Sequence, residues 1–444
     1  MNLRTLLTEM EKQGLLVRIG VPVDPYVEMA QVINALHNRP VLFEHVAGFD
    51  YPVVAGLCAR REFFALGLGV SPEQLPRIMQ NALCNTIEPE IIPSGPCQEI
   101  IEHEVDLTRL PILTHFADDP GPYVTAGVAI VKHPTLGRNM SYHRLLRLDE
   151  RRFAARIVEG RGTDSALRAA GGEIEIAFCI GNSTAVLLAA AMSPAPGVDE
   201  LGIANALEPT PLVKCQKVDL EVPADAEFVL EGRLTREMAD EGPFFDLTLT
   251  RDIVRQQPIF EVTCITHRRA PIYQALLPGG EEHKLLMGMP REPTIFQEVS
   301  KVCDVVDVLL TPGGGSWLHA VVQIRSHGPE DGRRAIEAAF RGHPSLKHVI
   351  VVDEDVNIHD PADVEWALSV RFQADRDLLV LDNQPGSSLD PSATHVAGEK
   401  SRTSKMGLDA TIPWTDAAGR RLSDKERARF KKVRYPPVDL AKYL

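Results

Sequence analysis

The sequence predicts a mixed α/β (α+β) chain organised in three domains, and three features lead there. At 444 residues the chain exceeds what a single core usually organises. Its two ends mix helical and extended hydrophobic periods. Its middle is dominated by strand-like runs that short helical stretches interrupt.

Residues 1–105 read as a small N-terminal α/β domain. Leucines at helical spacing between Met1 and Leu16, set among Arg4, Glu9, Glu11 and Lys12, predict an amphipathic opening helix. Pro40–Glu44 and Tyr51–Ala55 have strand character, Pro72–Leu83 is helical, and the Pro/Gly-rich Ile91–Pro96 marks the connector. Residues 106–300 read as a β-barrel core with helical insertions. Strands are expected at Thr125–Val131, Ile174–Ile180, Glu227–Gly232 and Ile259–Thr266, and helices near Ala185–Met192 and Asp199–Ala206. Residues 301–444 read as a C-terminal α/β domain, with strands at Val305–Leu310, Leu318–Ile324 and Val349–Asp353 and helices at Gly332–Arg341 and Pro361–Ser369. The last ~30 residues, basic and containing Pro436-Pro437, suit an arm that packs on a partner subunit.

The net charge is −14 with the acids dispersed, which argues against a nucleic-acid binder, whose phosphate contacts need a basic stripe. The seven cysteines lie far apart with no C-x-x-C pair, as in a reducing compartment. The charged start is unlike a secretory signal, and no run approaches the about 18 apolar residues of a membrane span. The expectation is a cytoplasmic protein that binds neither nucleic acid nor membrane.

Four segments carry residues suited to chemistry. In Gly137-Arg-Asn-Met-Ser-Tyr-His-Arg144, strand alternation puts Asn139, Ser141 and His143 on one face, either as a site or as a solvated edge. In Asp240-Glu-Gly-Pro-Phe-Phe-Asp246, carboxylates flank a turn and two aromatics; apolar surroundings raise a carboxyl pKa towards that of a general acid, and the plainer reading is a β-turn with a charged rim. Glu200 opens a helix, where it either complements the dipole or ligates a hard cation beside the Asn139 amide oxygen. In Ser401–Thr411, Lys405 sits among hydroxyls and a glycine, as a phosphate clamp or a polar loop. The Thr311–Ser316 turn lacks the lysine of a P-loop.

Together, in order and spacing, these segments resemble the UbiD family of prenylated-flavin decarboxylases over nearly the whole chain, Val222–Gly232 included. The resemblance implies a split β-barrel that binds prenylated FMN and a metal, and a C-terminal oligomerisation domain. It implies Mn2+ or another divalent ion, with K+ as a further candidate, and a flavin prenyltransferase as supplier of the cofactor. Arg144, five residues after Asn139, and Glu241 match the family's ion pair, and Asp246 its proton donor. Asn139 and Glu200 match metal ligands, Met192 a neighbour of the flavin, and Lys405 a partner of its phosphate. Ser141, Tyr142, His143 and Arg144 complete the expected cofactor site. Two positions depart from the family. Its third metal ligand, a histidine, is missing from Ile157–Thr163, where Glu159 is the expected substitute and water or backbone the alternative. Phe245 replaces a glycine beside Asp246.

The family chemistry suits this inventory: losing CO2 from an sp2 carbon leaves a carbanion that no side chain accepts, so a cofactor must hold the charge while an acid supplies a proton. His283 and Arg291, eight apart around a short apolar helix, are either scattered surface charges or a clamp for a second carboxylate. The pair resembles that of the family's 2,5-furandicarboxylate decarboxylases. The expected reaction is therefore reversible, non-oxidative decarboxylation of a heteroaromatic acid to release CO2, with furan-2,5-dicarboxylate first and pyrrole- or furan-monocarboxylates next. The alternatives are a phenolic or ubiquinone-precursor (4-hydroxybenzoate-type) decarboxylase and a non-catalytic flavin-binding subunit. A homo-oligomer, dimer or hexamer, is implied by the resemblance.

Overall fold

A computed structural model describes residues 1–37, 39–396, 399–436, 438–439 and 441. Pro437, part of the expected terminal arm, lies outside them. The chain forms two compact units: Met1–Pro293 with Ser388–Ser401, and Thr294–Ser387 with Arg402–Leu444.

The first unit is built on a nine-stranded sheet. Its hydrogen-bonded path runs Tyr123–Val124, Leu145–Arg147, Arg152–Ala155, Arg255–His267, Phe228–Glu241, Ile174–Ile180, Val128–His133, Gly137–Tyr142, and Ile100–Glu102 adds to Arg255–His267. The path does not close. The chain nevertheless passes between its two end regions twice, through Thr125–Gly127 and through His143-Arg144, and His143 N–H donates to the Gly127 carbonyl at 3.4 Å. This is the split of the barrel, and Arg144 stands in it. The expected strands are present. Two are longer than their apolar runs: Phe228–Glu241 and Arg255–His267 form one antiparallel ribbon with register shifts at Glu231/Gly232 and Leu234/Met238. Those bulges bend the ribbon, whose outer half is polar and exposed on one strand and hence silent to a hydrophobic pattern.

Helices Thr184–Ala191 and Glu200–Leu207 are the expected insertions. The first is buried on every residue, so it has no amphipathic stripe. Residues 1–105 are not self-contained: their strands Val17–Ile19, Val41–Phe43 and Val53–Ala55 are completed by Tyr273–Gln274. One core joins Leu3, Leu7 and Phe64 to Val186, Leu201 and Leu286.

The second unit is a five-stranded mixed sheet in the order Asp304–Leu310, His319–Arg325, His348–Asp353, Arg402–Ala410, Leu378–Pro385. Helices Asp331–Gly342 and Pro361–Arg371 pack into separate apolar clusters. Arg402–Ala410, within the segment expected as a phosphate clamp or a polar loop, is thus a strand rather than a loop. The signal was present, since Thr403, Lys405 and Gly407 are buried alternately. Among the described residues no helix is long and apolar enough to cross a membrane, and all seven cysteines are free.

Gly232 sits where the central ribbon is tightest: a Cβ there would lie 1.9 Å from the Glu261 carbonyl oxygen. Gly232→Ala is expected to cost about 1–3 kcal/mol through overpacking. Urea unfolding checks this as a lower midpoint at unchanged slope.

Candidate active site

The split of the barrel places a cation among carboxylates. Arg144 Nε and Nη2 donate to Glu241 Oε1 and Oε2 at 2.8 and 3.0 Å, a bidentate pair reaching across 97 residues of chain. Its Nη1 donates to Asp246 Oδ2 at 2.6 Å and its Nη2 also to Asp252 Oδ2 at 2.9 Å. The guanidinium carbon lies 4.3 Å from the centre of the Phe244 ring. Burial opposes the charge on Arg144, but the three carboxylates outweigh it and raise its pKa. Asp252 is drawn down despite its burial by Arg144 and by Arg255, whose Nη1 lies 2.6 Å away. The sequence reading found Arg144, Glu241 and Asp246 and missed Asp252, which stands just past the aromatic turn as one more acid beside an arginine.

The turn holding Asp246 is fixed from several sides. Leu247 N–H donates to Asp246 Oδ1 at 2.7 Å, and Tyr123 accepts from Gly242 N–H while its ring packs on Phe244 at 4.7 Å. The Phe245 ring lies 4.8 Å from Phe116 and over Gly279, where a Cβ would approach it to 2.4 Å. The substitution of phenylalanine for glycine is therefore matched by a glycine opposite.

Arg291 is buried and His283 is partly buried, so neither is a scattered surface charge. Helix Glu281–Gly288 carries His283, and its neighbour Glu282 accepts from Gly56 and Cys58 N–H at 2.8 and 2.9 Å. Gly279 N–H donates to His283 Nδ1 at 3.1 Å, so the neutral ring carries its proton on Nε2, 3.9 Å from Asp246 Oδ1. Burial depresses the His283 pKa. Arg291 lies within electrostatic reach of Arg161, a residue the sequence reading passed over; burial, and then Arg161, push its guanidinium down to about 9. His283 therefore stands beside the acid, while Arg291 lies within the field of a second arginine.

On the strand Gly137–Tyr142 and just past it, alternation holds as expected. Ser141 and His143 meet the Thr163 hydroxyl at 3.1 and 2.8 Å, and Gly162 packs so tightly on the Asn139 amide that a Cβ would reach its Oδ1 at 2.4 Å. His143 Nδ1 lies 2.9 Å from the Arg156 carbonyl, and burial pushes the ring down to about 4. The other face carries Met140 and Tyr142, whose hydroxyl donates to the Leu187 carbonyl at 3.2 Å; Met192, buried, ends that helix.

The metal expectation can be tested on Asn139 and Glu200. Asn139 Nδ2 and Met140 N–H both donate to the Glu200 carboxylate at 2.9 Å, while the buried Asn139 Oδ1 has no partner. Burial pushes the Glu200 carboxyl up to about 8. A buried amide oxygen beside a strained carboxylate is a donor set that fits a hard divalent cation. Glu159 does not complete it: its carboxylate pairs with Arg156 at 3.3 Å. Among the described residues no group of three His, Cys, Asp or Glu could hold a metal. Lys405 lies in the second unit, nearly buried, donating to the Pro344 carbonyl at 2.7 Å with its ammonium 5.0 Å from the Phe340 ring.

A split barrel with a buried arginine–carboxylate network defines an acid site, and comparison with known proteins assigns its class. Models of the 3-octaprenyl-4-hydroxybenzoate carboxy-lyase N-terminal, Rift-related and C-terminal domains match residues 7–83, 90–281 and 284–410. The chain belongs to the UbiD family of carboxy-lyases. It is 40% identical to the anhydromevalonate phosphate decarboxylase of Methanosarcina mazei, over 93% of this chain and 96% of that one. Its fold is similar to the UbiD-class enzyme HmfF from Pelotomaculum thermopropionicum in complex with FMN, at a TM-score of 0.92 and 38% identity with both chains fully covered. An evolved dimeric form of HmfF in complex with prFMN matches at a TM-score of 0.87 and 37% identity, again with both chains fully covered.

Glu200 gives a pH test with a definite sign. Its folded pKa, about 8, lies above the unfolded value, so the folded state holds the proton more tightly and stability falls as pH rises from about 4.5 to 8. A divalent ion must displace that proton. The rise in Tm with Mn2+ is therefore expected to be larger at the upper end of that range than at the lower, and to vanish in Glu200→Gln.

Proposed function

We propose that the protein is a prenylated-FMN-dependent decarboxylase of an unsaturated acid that carries a phosphate, with anhydromevalonate phosphate as its substrate. The observation that carries the reaction class is the Arg144–Glu241–Asp246–Asp252 network. The substrate follows the name of the Methanosarcina relative and replaces the furan diacid expected from the sequence. Arg161 and Arg291 support it: the two guanidiniums lie within electrostatic reach of each other, and guanidinium forks suit a phosphate's oxygens.

Decarboxylation consumes one proton: the carboxylate leaves as CO2 and the carbon takes H+ in its place. When bound, the flavin supplies the electron sink that no residue of the network offers. Asn139 and Glu200 fit a divalent ion beside such a group. Arg144 fixes Asp246 by one oxygen only. The other faces His283. Asp246 Oδ1 accepts from Leu247 N–H and makes no bond to Arg144, whereas both oxygens of Glu241 accept from that arginine and Asp252 is shared with Arg255. Asp246 therefore delivers the proton while Glu241 and Asp252 hold Arg144 in place.

Arg144→Ala and Asp246→Asn should each lower CO2 release by at least about 100-fold, the usual scale for losing an acid or its partner, with flavin still bound. Wild-type rates in either variant would sink the roles. Arg291→Leu should raise KM for anhydromevalonate phosphate about tenfold or more with little change in kcat. If flavin occupancy falls instead, the arginine serves the cofactor's phosphate.

A further inference from the structure

The structure leaves one buried residue beside this site without a role. His115 is 3% exposed, and neither of its ring nitrogens has a hydrogen-bond partner. Its segment is rigid: His115 and Phe116 N–H both donate to Asp119 Oδ2 at 3.1 and 2.9 Å. The segment is also clipped to the turn that carries Asp246, by the Phe116–Phe245 ring contact and by Arg251, whose Nη1 lies 3.5 Å from Asp119 and whose guanidinium carbon lies 5.3 Å from the centre of the Phe116 ring. His283 is within electrostatic reach of His115 and stands 3.9 Å from Asp246. Three stretches far apart in sequence, around 115, 245 and 280, thus place one imidazole 3.9 Å from the acid and a second within electrostatic reach of the first.

We infer that His115 is a substrate-contacting residue, which with His283 forms the wall that receives the reacting carboxylate of the acid next to Asp246. The inference rests on the reading of this site as an unsaturated-acid decarboxylase. A buried imidazole with both nitrogens bare has given up its water for nothing within the protein; a ligand oxygen accepting its N–H restores the loss. Burial, with His283 alongside, pushes His115 down to about 3, so the ring meets the substrate uncharged. That suits a group about to leave as neutral CO2. A cation at this spot would hold the carboxylate's charge in the ground state, and that charge must leave it on the way to the transition state. The two imidazoles orient the carboxylate by hydrogen bonds, and the arginines hold the far end.

The test uses the holoenzyme with 3-methylbut-2-enoate, an unsaturated acid without phosphate, followed by calorimetry, and with anhydromevalonate phosphate for turnover. His115→Leu should weaken binding of the bare acid by tenfold or more and lower kcat/KM by at least as much, whereas His115→Asn, which keeps an N–H donor, should recover most of both. A wild type and a His115→Leu variant that bind the acid equally overturn the inference and leave the decarboxylase reading intact; a wild type that binds no acid overturns both. A second measurement does not need the variant to fold. In 15N-histidine-labelled wild type, the acid should shift the ring signals of His115 and His283, and binding heat with no histidine shift overturns the inference.

Discussion

The site depends on one buried guanidinium. Arg144 sits at the split of the barrel, where water is scarce, and a lone cation there would not remain. Its charge is kept by Glu241, Asp246 and Asp252, drawn from positions 97, 102 and 108 residues further along the chain. Removing one partner of such a buried pair typically costs about 3–5 kcal/mol, because the other is left uncompensated. The same contacts therefore hold the ribbon to the split and aim the acid.

The open edge of the barrel also explains why the acid can act. A closed barrel would hydrogen-bond its end strands and fill the interior with apolar side chains. Here the two chain passages at Thr125–Gly127 and His143-Arg144 replace ladder pairs, and the ribbon's bulges bring Glu241 back to the gap. Glycines then set how closely the walls approach. Gly162 lets a helix lie on Asn139, and Gly279 makes room for Phe245. A single methyl group at either position would displace the Asn139 amide or the Phe245 ring beside Asp246.

Local chemistry was legible in the sequence and convergence was not. Arg144, Glu241 and Asp246 were readable because each lies in a short segment whose neighbours constrain it, and so were the strands Ile174–Ile180 and Asp304–Leu310, whose apolar runs are continuous. The outer ribbon was invisible because its exposed residues carry no hydrophobic period. Leu378–Pro385 was missed for a similar reason, being an edge strand with four exposed residues. Asp252, Arg161 and His115 show the limit more sharply. None belongs to a motif of its own, and each gains meaning only from a residue more than 100 positions away, Arg144, Arg291 and His283 in turn. Glu159 was chosen by position in the chain, and its neighbour Arg156 claimed it first.

This asymmetry bears on how reaction and substrate separate within one fold. Asp246 and Arg144 are tied by direct ionic contacts, so a change at either is felt by the other. The groups around that core are carried separately: His283 on the helix that Glu282 anchors and His115 on a turn held by Asp119. Each can change without breaking the central network. On the proposed reading, the ionic core sets the class of reaction and the groups around it set which acid is taken, so a shared fold, here at a TM-score of 0.92, does not carry the substrate with it.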